Sequence, residues 1–233
     1  MRDNERYARQ IMMPEISEAG QERLRESTVL IVGAGGLGSP VSLYLSAAGV
    51  GKLMIADHDS VNISNLNRQI LYTTSDFGRG KTECAVERLR GLNPEIEIIA
   101  LPEGLNDDNA ASLIAAADIV VDCTDNFPAR LLIDRVCRET GTPWIFGAVE
   151  GFCGQIAFFN GAGGTGLTDL FADLDSQETG DTVPIGVVGA TPGVVGSIQA
   201  SVCIKYLLGL PHLPEGRLSI IDLNNLSIQN IDF

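Results

Sequence analysis

The chain has no C-x-x-C pair, only two histidines (His58 and His212), and no apolar run near the roughly 20 residues that cross a bilayer. Its five cysteines, Cys84, Cys123, Cys137, Cys153 and Cys203, are odd in number and widely spaced. That set excludes a regular disulfide framework and, with so few histidines, a structural zinc site. It reads as reduced thiols packed as small hydrophobes. The polar start, Met1-Arg2-Asp3-Asn4-Glu5-Arg6, has no signal-peptide core, so the expectation is a cytoplasmic protein. Cations are scarce as well: 16 Lys and Arg face 30 Asp and Glu, a net charge of −14. Neither nucleic acid nor an anionic membrane is an expected partner. There is no internal repeat and no Pro/Ser-rich linker, and 233 residues suffice for one large core.

What is present is organised around residues 28–59. An apolar run (29–32) stops at Gly33; Gly33, Gly35 and Gly38 fall on the G-x-G-x-x-G spacing, with Gly36 between them. A small-residue helix (40–48) follows, then a second apolar run (53–56) ending on Asp57. Strand, glycine turn, helix, strand and acidic residue together make a nucleotide cradle. Glycines let the backbone approach phosphate oxygens, and the helix start offers unpaired N–H groups and a positive dipole end. The carboxylate closing the second strand is placed to accept from a ribose. This pattern fits any adenine nucleotide: NAD, FAD, SAM and ATP all remain open.

The rest of the chain extends that unit. Two short N-terminal helices are expected over 4–25, the first carrying Arg6 and Arg9. Residues 60–76 hold Asn62, Asn65, Asn67, Arg68 and Gln69 in quick succession, too many amides for a good helix but several ligand-fixing side chains. Lys81 then opens a helix against the macrodipole's preference, which hints at an anion nearby. A strand at 97–101, a helix from Asn106 or Asp107 through 116 and a strand at 118–123 follow. The last leaves Asp122, Thr124, Asp125 and Asn126 at its C-terminal edge, where open parallel sheets bind ligands. The bland reading of Asp125 is an N-cap for a helix over 126–139.

A fifth strand (144–149) completes the parallel part, and 152–159 follows without a helix, hence antiparallel. A Gly/Asp/Thr-rich loop spans 161–184. A helix over 192–208 and a hairpin (218–222 and 226–231) around Asn224-Asn225 end the chain. The expectation is an α/β fold with a Rossmann-like mixed sheet: parallel in the N-terminal half, antiparallel at the C-terminal end, with helices on both faces. One domain is expected over 1–233: N-terminal helices (1–26), a nucleotide-binding half (27–150) and a second half (151–233).

Seven blocks then occur in one order: R-Y-A-R-Q-I, G-A-G-G-L-G, D-H-D, S-N-L-N-R-Q, G-R-G-K, D-C-T-D-N and P-G-V-V-G-S-I-Q-A-S-V-C-I-K. Together they resemble the HesA/MoeB/ThiF family, prokaryotic relatives of ubiquitin-activating enzymes, over about residues 7–208. The resemblance implies an ATP-dependent adenylyltransferase. Its substrate would be the C-terminal glycine of a small β-grasp, ubiquitin-like sulfur carrier ending in Gly-Gly, in molybdopterin or thiamine synthesis. It implies that the turn 33–38 covers the ATP phosphates and that Asp57 holds the ribose. Asp59, Asn65, Thr124 and Asn126 would line the site, and Arg68, Gln69 and Lys81 would contact phosphates. Asp125 would serve Mg²⁺, and Arg9 would be supplied by the neighbouring subunit of a homodimer. Arg9, Arg68, Lys81 and Asp125 are thus the implied catalytic set, and residues 151–233 the carrier-binding half.

The chain departs from the family in two places. Many members carry two zinc-binding C-x-x-C pairs; the first region here reads G-G-T-G-L-T-D-L-F, and the second falls at or beyond Phe233, so no zinc is expected. Where relatives often place a carrier-bonding cysteine, D-T-V-P-I-G-V-V-G has Thr182, which points to adenylation alone. Cys123 and Cys153 are the substitutes to consider, although nothing in the sequence around them marks either as a reactive thiol. Two other classes compete: an NAD(P)- or flavin-dependent oxidoreductase, which leaves Arg68, Lys81 and Asp125 without work, and a non-catalytic nucleotide-binding dimer.

Overall fold

The computed structural model describes residues 3–171 and 186–233. Three short helices, α1 (Asp3–Arg6), α2 (Ala8–Ile11) and α3 (Ser17–Glu26), precede the first strand, β1 (Thr28–Val32). Then come α4 (Gly38–Ala48), β2 (Lys52–Ala56), two 3₁₀ turns (Ile63–Asn65 and Thr74–Asp76), α5 (Lys81–Leu92) and β3 (Glu97–Leu101). Next are α6 (Ala110–Ala115), β4 (Ile119–Asp122), α7 (Phe127–Thr140), β5 (Trp144–Glu150) and β6 (Cys153–Phe159). The chain finishes with α8 (Leu167–Leu170), α9 (Ala190–Leu207), β7 (Arg217–Asp222) and β8 (Ser227–Asp232).

Among the described residues eight strands form one sheet, in the order β3-β2-β1-β4-β5-β6-β7-β8. β3, β2, β1, β4 and β5 pair in parallel; β6, β7 and β8 are antiparallel. The mixed sheet expected from the sequence is therefore present. Residues of β1 alternate between two cores. Val29 and Ile31 join one with Leu45 of α4, Leu89 of α5 and Val195 of α9. Leu30 and Val32 join the other with Ile114 of α6 and Ile133 of α7. Burial on both faces is why the strand reads as an unbroken apolar run rather than an alternating one.

β1 lies between β2 and β4, so successive connections leave it in opposite directions, which opens a crevice at the C-terminal strand ends. The starts of α4 and α5 open onto that edge. α4 ends where Gly49 takes a left-handed conformation (φ 82°).

Several boundaries differ from expectation. The N-terminal segment makes three helical pieces, not two. Asn106 does not open a helix directly: its side chain accepts from the Asp108 and Asn109 amides in a turn, and α6 starts at Ala110. The cap of α7 is Asn126, whose side chain accepts from Ala129 N at 3.0 Å, so the capping alternative for Asp125 falls. α9 begins at Ala190, with Pro192 in its first turn, where no helical N–H is forfeited. The 161–184 stretch contains α8; most of its remainder, Thr182 included, lies outside the described residues.

Candidate functional site

Two of the turn's glycines are dictated by its own backbone. A Cβ on Gly33 (φ 96°) would sit 2.5 Å from Cys123 O, and one on Gly38 would sit 2.0 Å from Gly33 O. The turn is thus folded tightly on itself and against the end of β4. Gly35 and Gly36 face elsewhere. Their Cβ positions would lie 3.6 Å from Gln69 Nε2 and 3.7 Å from Arg68 Cγ, and Pro192 of α9 stands 3.2 Å from the latter position. The S-N-L-N-R-Q segment and the start of α9 therefore form one wall beside the turn.

Asp57 packs against the same turn at Ala34. Its carboxylate accepts from Ala34 N at 2.7 Å and Asp59 N at 2.8 Å, pinning the turn to the end of β2. Lys81 is buried at the start of α5, with its Nζ 2.8 Å from Asp59 and 3.8 Å from Asp57. The hydrogen bond from Lys81 holds the Asp59 carboxyl below its usual range, against a smaller opposing effect of burial. A cation at a helix N-terminus, unfavourable on its own, is here offset by two carboxylates.

Arg68 is half-buried, its guanidinium donating to Ser64 O at 2.9 Å and to the Asn67 side chain at 3.0 Å. Gln69 is buried, and its Oε1 meets no donor among the described residues. Asn62 caps the 3₁₀ turn, and Asn65 closes the capping box by accepting from Asn62 N. A residue the sequence did not single out, Tyr72, donates to Ala34 O at 2.7 Å from a buried position, where burial raises its pKa. Tyr72 and Asp57 hold the two backbone polar groups of Ala34, and so fix the middle of the turn.

At the end of β4 the side chains divide. Asp122 is fully buried; its Oδ1 accepts from both Thr124 N (2.9 Å) and Thr124 Oγ1 (2.7 Å). Thr124 and Asn126 thus have structural partners, whereas Asp125 is exposed, and among the described residues only the Asn126 amide approaches its carboxylate, at 3.5 Å. Beneath this loop lies Arg130, which sequence reasoning passed over. Its signal was available: an arginine in the first turn of a helix goes against the macrodipole, as Lys81 does.

Arg9 is not brought to this site. Its neighbours anchor at the other end of the helices: Tyr7 OH accepts from Asn93 Nδ2 at 2.8 Å, and Gln10 donates to Ala48 O at 3.0 Å. The cradle is at Gly38 and Lys81; this anchor is at Gly49 and Asn93, about 16 Å away along α4. Arg9 is exposed, and among the described residues no carboxylate pairs with it.

The cysteines are free. Burial raises the thiol pKa of Cys123, Cys137, Cys203 and Cys84. Cys153 is half-buried, 3.9 Å from Asp222 Oδ1. Among the described residues, no three His, Cys, Asp or Glu side chains gather as a metal cage. No helix described is long and apolar enough to cross a membrane.

A magnesium ion fits this donor set in one way. Mg²⁺ retains water and usually takes only one or two protein carboxylates plus phosphate oxygens, so the open carboxylate of Asp125 suffices without a cage. ATP fits as well, since Gly35 leaves room where a Cβ would stand, with only Gln69 Nε2 at 3.6 Å, and Arg68 lies beside the neighbouring Gly36.

The profile of the ThiF family matches residues 7–233. Among similar proteins, the sulfur carrier protein adenylyltransferase of Thermus thermophilus is 40% identical over 97% of this chain and 86% of its own. The sulfur carrier protein ThiS adenylyltransferase of Escherichia coli is 41% identical over 95% and 88%. The SAMP-activating enzyme E1 of Haloferax volcanii is 39% identical over 98% and 85%. Among solved structures, the microcin C7 biosynthetic enzyme MccB matches with a TM-score of 0.85 and 22% identity, over 99% of this chain and 73% of that one. At that identity it speaks to the fold alone.

Proposed function

Because the chain belongs to the ThiF family, we propose that it is an ATP-dependent adenylyltransferase that activates the C-terminal glycine of a ubiquitin-like sulfur carrier. The carrier's carboxylate attacks the α-phosphorus of ATP, forming an acyl-adenylate and expelling pyrophosphate. The observation that carries this reading is the meeting of Lys81, Arg68 and Gln69 around the turn 33–38 in a chain of net charge −14. Both reactants are anions, so the protein's work is positioning and charge stabilisation rather than covalent help.

The turn binds the phosphates through its backbone and through the start of α4. Lys81 stabilises the charge that spreads onto them, and its two carboxylate partners hold it in place beforehand. Arg68 reaches the same space from the S-N-L-N-R-Q wall, with Gln69 and Asn65 beside it. Asp57 and Asp59 line the ribose side. Asp125 would hold Mg²⁺, which would supply positive charge to offset that of the phosphates. Thr124 and Asn126 contribute by shaping the loop that presents Asp125. Arg9, a helix length from its own cradle, serves the cradle of a second copy, so the working unit is a homodimer. Thr182 stands where relatives place a cysteine, so the reading includes no thioester.

ATP–pyrophosphate exchange tests this reading, with the purified chain and a ubiquitin-like carrier ending in Gly-Gly. Exchange should require the carrier and vanish when its last glycine is removed. ATP binding without exchange across a panel of such carriers would overturn the reading in favour of a non-catalytic nucleotide binder.

A further inference from the structure

Arg130 is 8% exposed, and Asp122 not at all. Arg130 Nε lies 3.4 Å from Asp122 Oδ2, and its Nη2 donates to Thr124 O at 2.9 Å and to Gly147 O at 3.2 Å. The guanidinium also stands over the rings of Phe127 (5.6 Å) and Phe146 (5.1 Å). From the other side, Gln199 of α9 donates to Asp122 O at 2.7 Å. Every one of these bonds ends on β4, β5 or the loop after β4.

Stability alone is a poor explanation for such a pair. Desolvating two charges roughly cancels their attraction, and apolar residues of similar volume often do as well. What the pair accomplishes is geometric. Asp122 binds the backbone and side chain of Thr124 through one oxygen; Arg130 Nε pairs with the other at 3.4 Å without a hydrogen bond, while its Nη2 holds the carbonyl of Thr124. The chain is clamped at the residue immediately before Asp125, which then projects into solvent. A lysine could not match this, because one ammonium cannot serve both carbonyls, as Nη2 does, and also set a second nitrogen beside the carboxylate.

We infer that Arg130 is a positioning residue for nucleotide-bound magnesium, acting through Asp122 and Thr124 on the loop that carries Asp125. The inference rests on the assignment of Mg²⁺ to Asp125 made above. It makes Arg130 a partner of the metal-holding residue, without contact to the metal or to ATP.

Titration calorimetry on the full chain tests this, using a non-hydrolysable ATP analogue with and without Mg²⁺. The readout is the factor by which Mg²⁺ tightens binding. Arg130→Lys should reduce that factor by roughly 10–100-fold, the usual loss when a metal ligand's orienting partner is removed. Affinity without Mg²⁺ should stay near wild type. Thr124→Val, which deletes only the hydroxyl bond to Asp122, gives a smaller loss in the same direction and serves if Arg130→Lys does not fold. Asp125→Asn separates the two claims. If it leaves the Mg²⁺ factor intact, the assignment of the metal to Asp125 is wrong, and the inference goes with it. If Asp125→Asn abolishes the factor while Arg130→Lys and Thr124→Val retain it, only the role of Arg130 is overturned. The double variant Asp125→Asn/Arg130→Lys should be no worse than Asp125→Asn, because both act on one interaction; additive losses would also overturn it.

Discussion

Lys81 Nζ lies 2.8 Å from the Asp59 carboxylate, and the two partners differ sharply in exposure: the lysine side chain is 6% exposed and the aspartate's 57%. Asp57, 9% exposed, completes the group at 3.8 Å. The ammonium is therefore committed to the protein before any nucleotide arrives. Removing it leaves one buried carboxylate without its cation. Lys81→Met should lose ATP–pyrophosphate exchange and also about 1–3 kcal/mol of stability, the cost of stranding a buried polar partner. Arg68→Ala should lose exchange but remain within about 0.5 kcal/mol of wild type, since its bonds are to surface groups. Urea midpoints beside exchange rates check both, and equal stability loss in the two variants would contradict the difference in burial.

The same pair sets an acid dependence. The Lys81 hydrogen bond depresses the Asp59 pKa in the folded chain. A carboxyl whose folded pKa is depressed adds stability above its unfolded pKa of about 3.9, and loses it as pH falls through the folded value. Asp59→Asn should therefore cost about 0.2–1 kcal/mol at neutral pH, the range for a solvent-screened pair. The gap between variant and wild type should close below about pH 4. Unfolding curves from neutral to acid pH measure that gap; a constant difference across the range would mean the pair is not the cause.

The glycine turn separates folding from ligand binding. Gly38→Ala places a Cβ 2.0 Å from Gly33 O, backbone against backbone. It should cost about 1–3 kcal/mol or more, as overpacking does. Gly35→Ala meets only the Gln69 side chain at 3.6 Å, an ordinary contact. That variant should fold within about 1 kcal/mol of wild type, yet bind ATP poorly because its methyl occupies the proposed phosphate side. Thermal melts with and without ATP distinguish them: Gly35→Ala keeps its melting point and loses the ATP-induced rise.

Legibility in the sequence followed the range of the interactions. The strand–turn–helix of residues 28–48 could be read because its apolar runs, glycine spacing and helix start are all local. Lys81 could be suspected because a lysine at a helix start is locally wrong. Tyr72 to Ala34 O spans 38 residues and Gln199 to Asp122 O spans 77, and neither leaves a periodic trace. The seating of Pro192 against Gly36 likewise depends on how α9 crosses α4. Arg9 is the reverse case: its residue type and block were legible, but its distance from its own cradle was not.

That distance makes the last prediction. Tyr7 and Gln10 fasten the N-terminal helices to Asn93, Gln21 and Ala48, at the edge of the sheet where strands begin, while Lys81 and Gly38 lie where they end. A five-residue strand spans about 17 Å, so an Arg9 held near Tyr7 stands well away from its own phosphate cradle. If Arg9 acts, it acts on another copy. Arg9→Ala and Asp125→Ala should each be inactive alone. Mixed and allowed to exchange subunits, they should regain up to about a quarter of wild-type activity. In random pairing half the dimers are mixed, and a C₂ pair holds two sites, of which each mixed dimer rebuilds one. Native mass spectrometry would verify that mixed dimers form. Mixed dimers without recovered exchange would remove the cross-subunit role, and substantial activity in Arg9→Ala alone would remove Arg9 from the catalytic set.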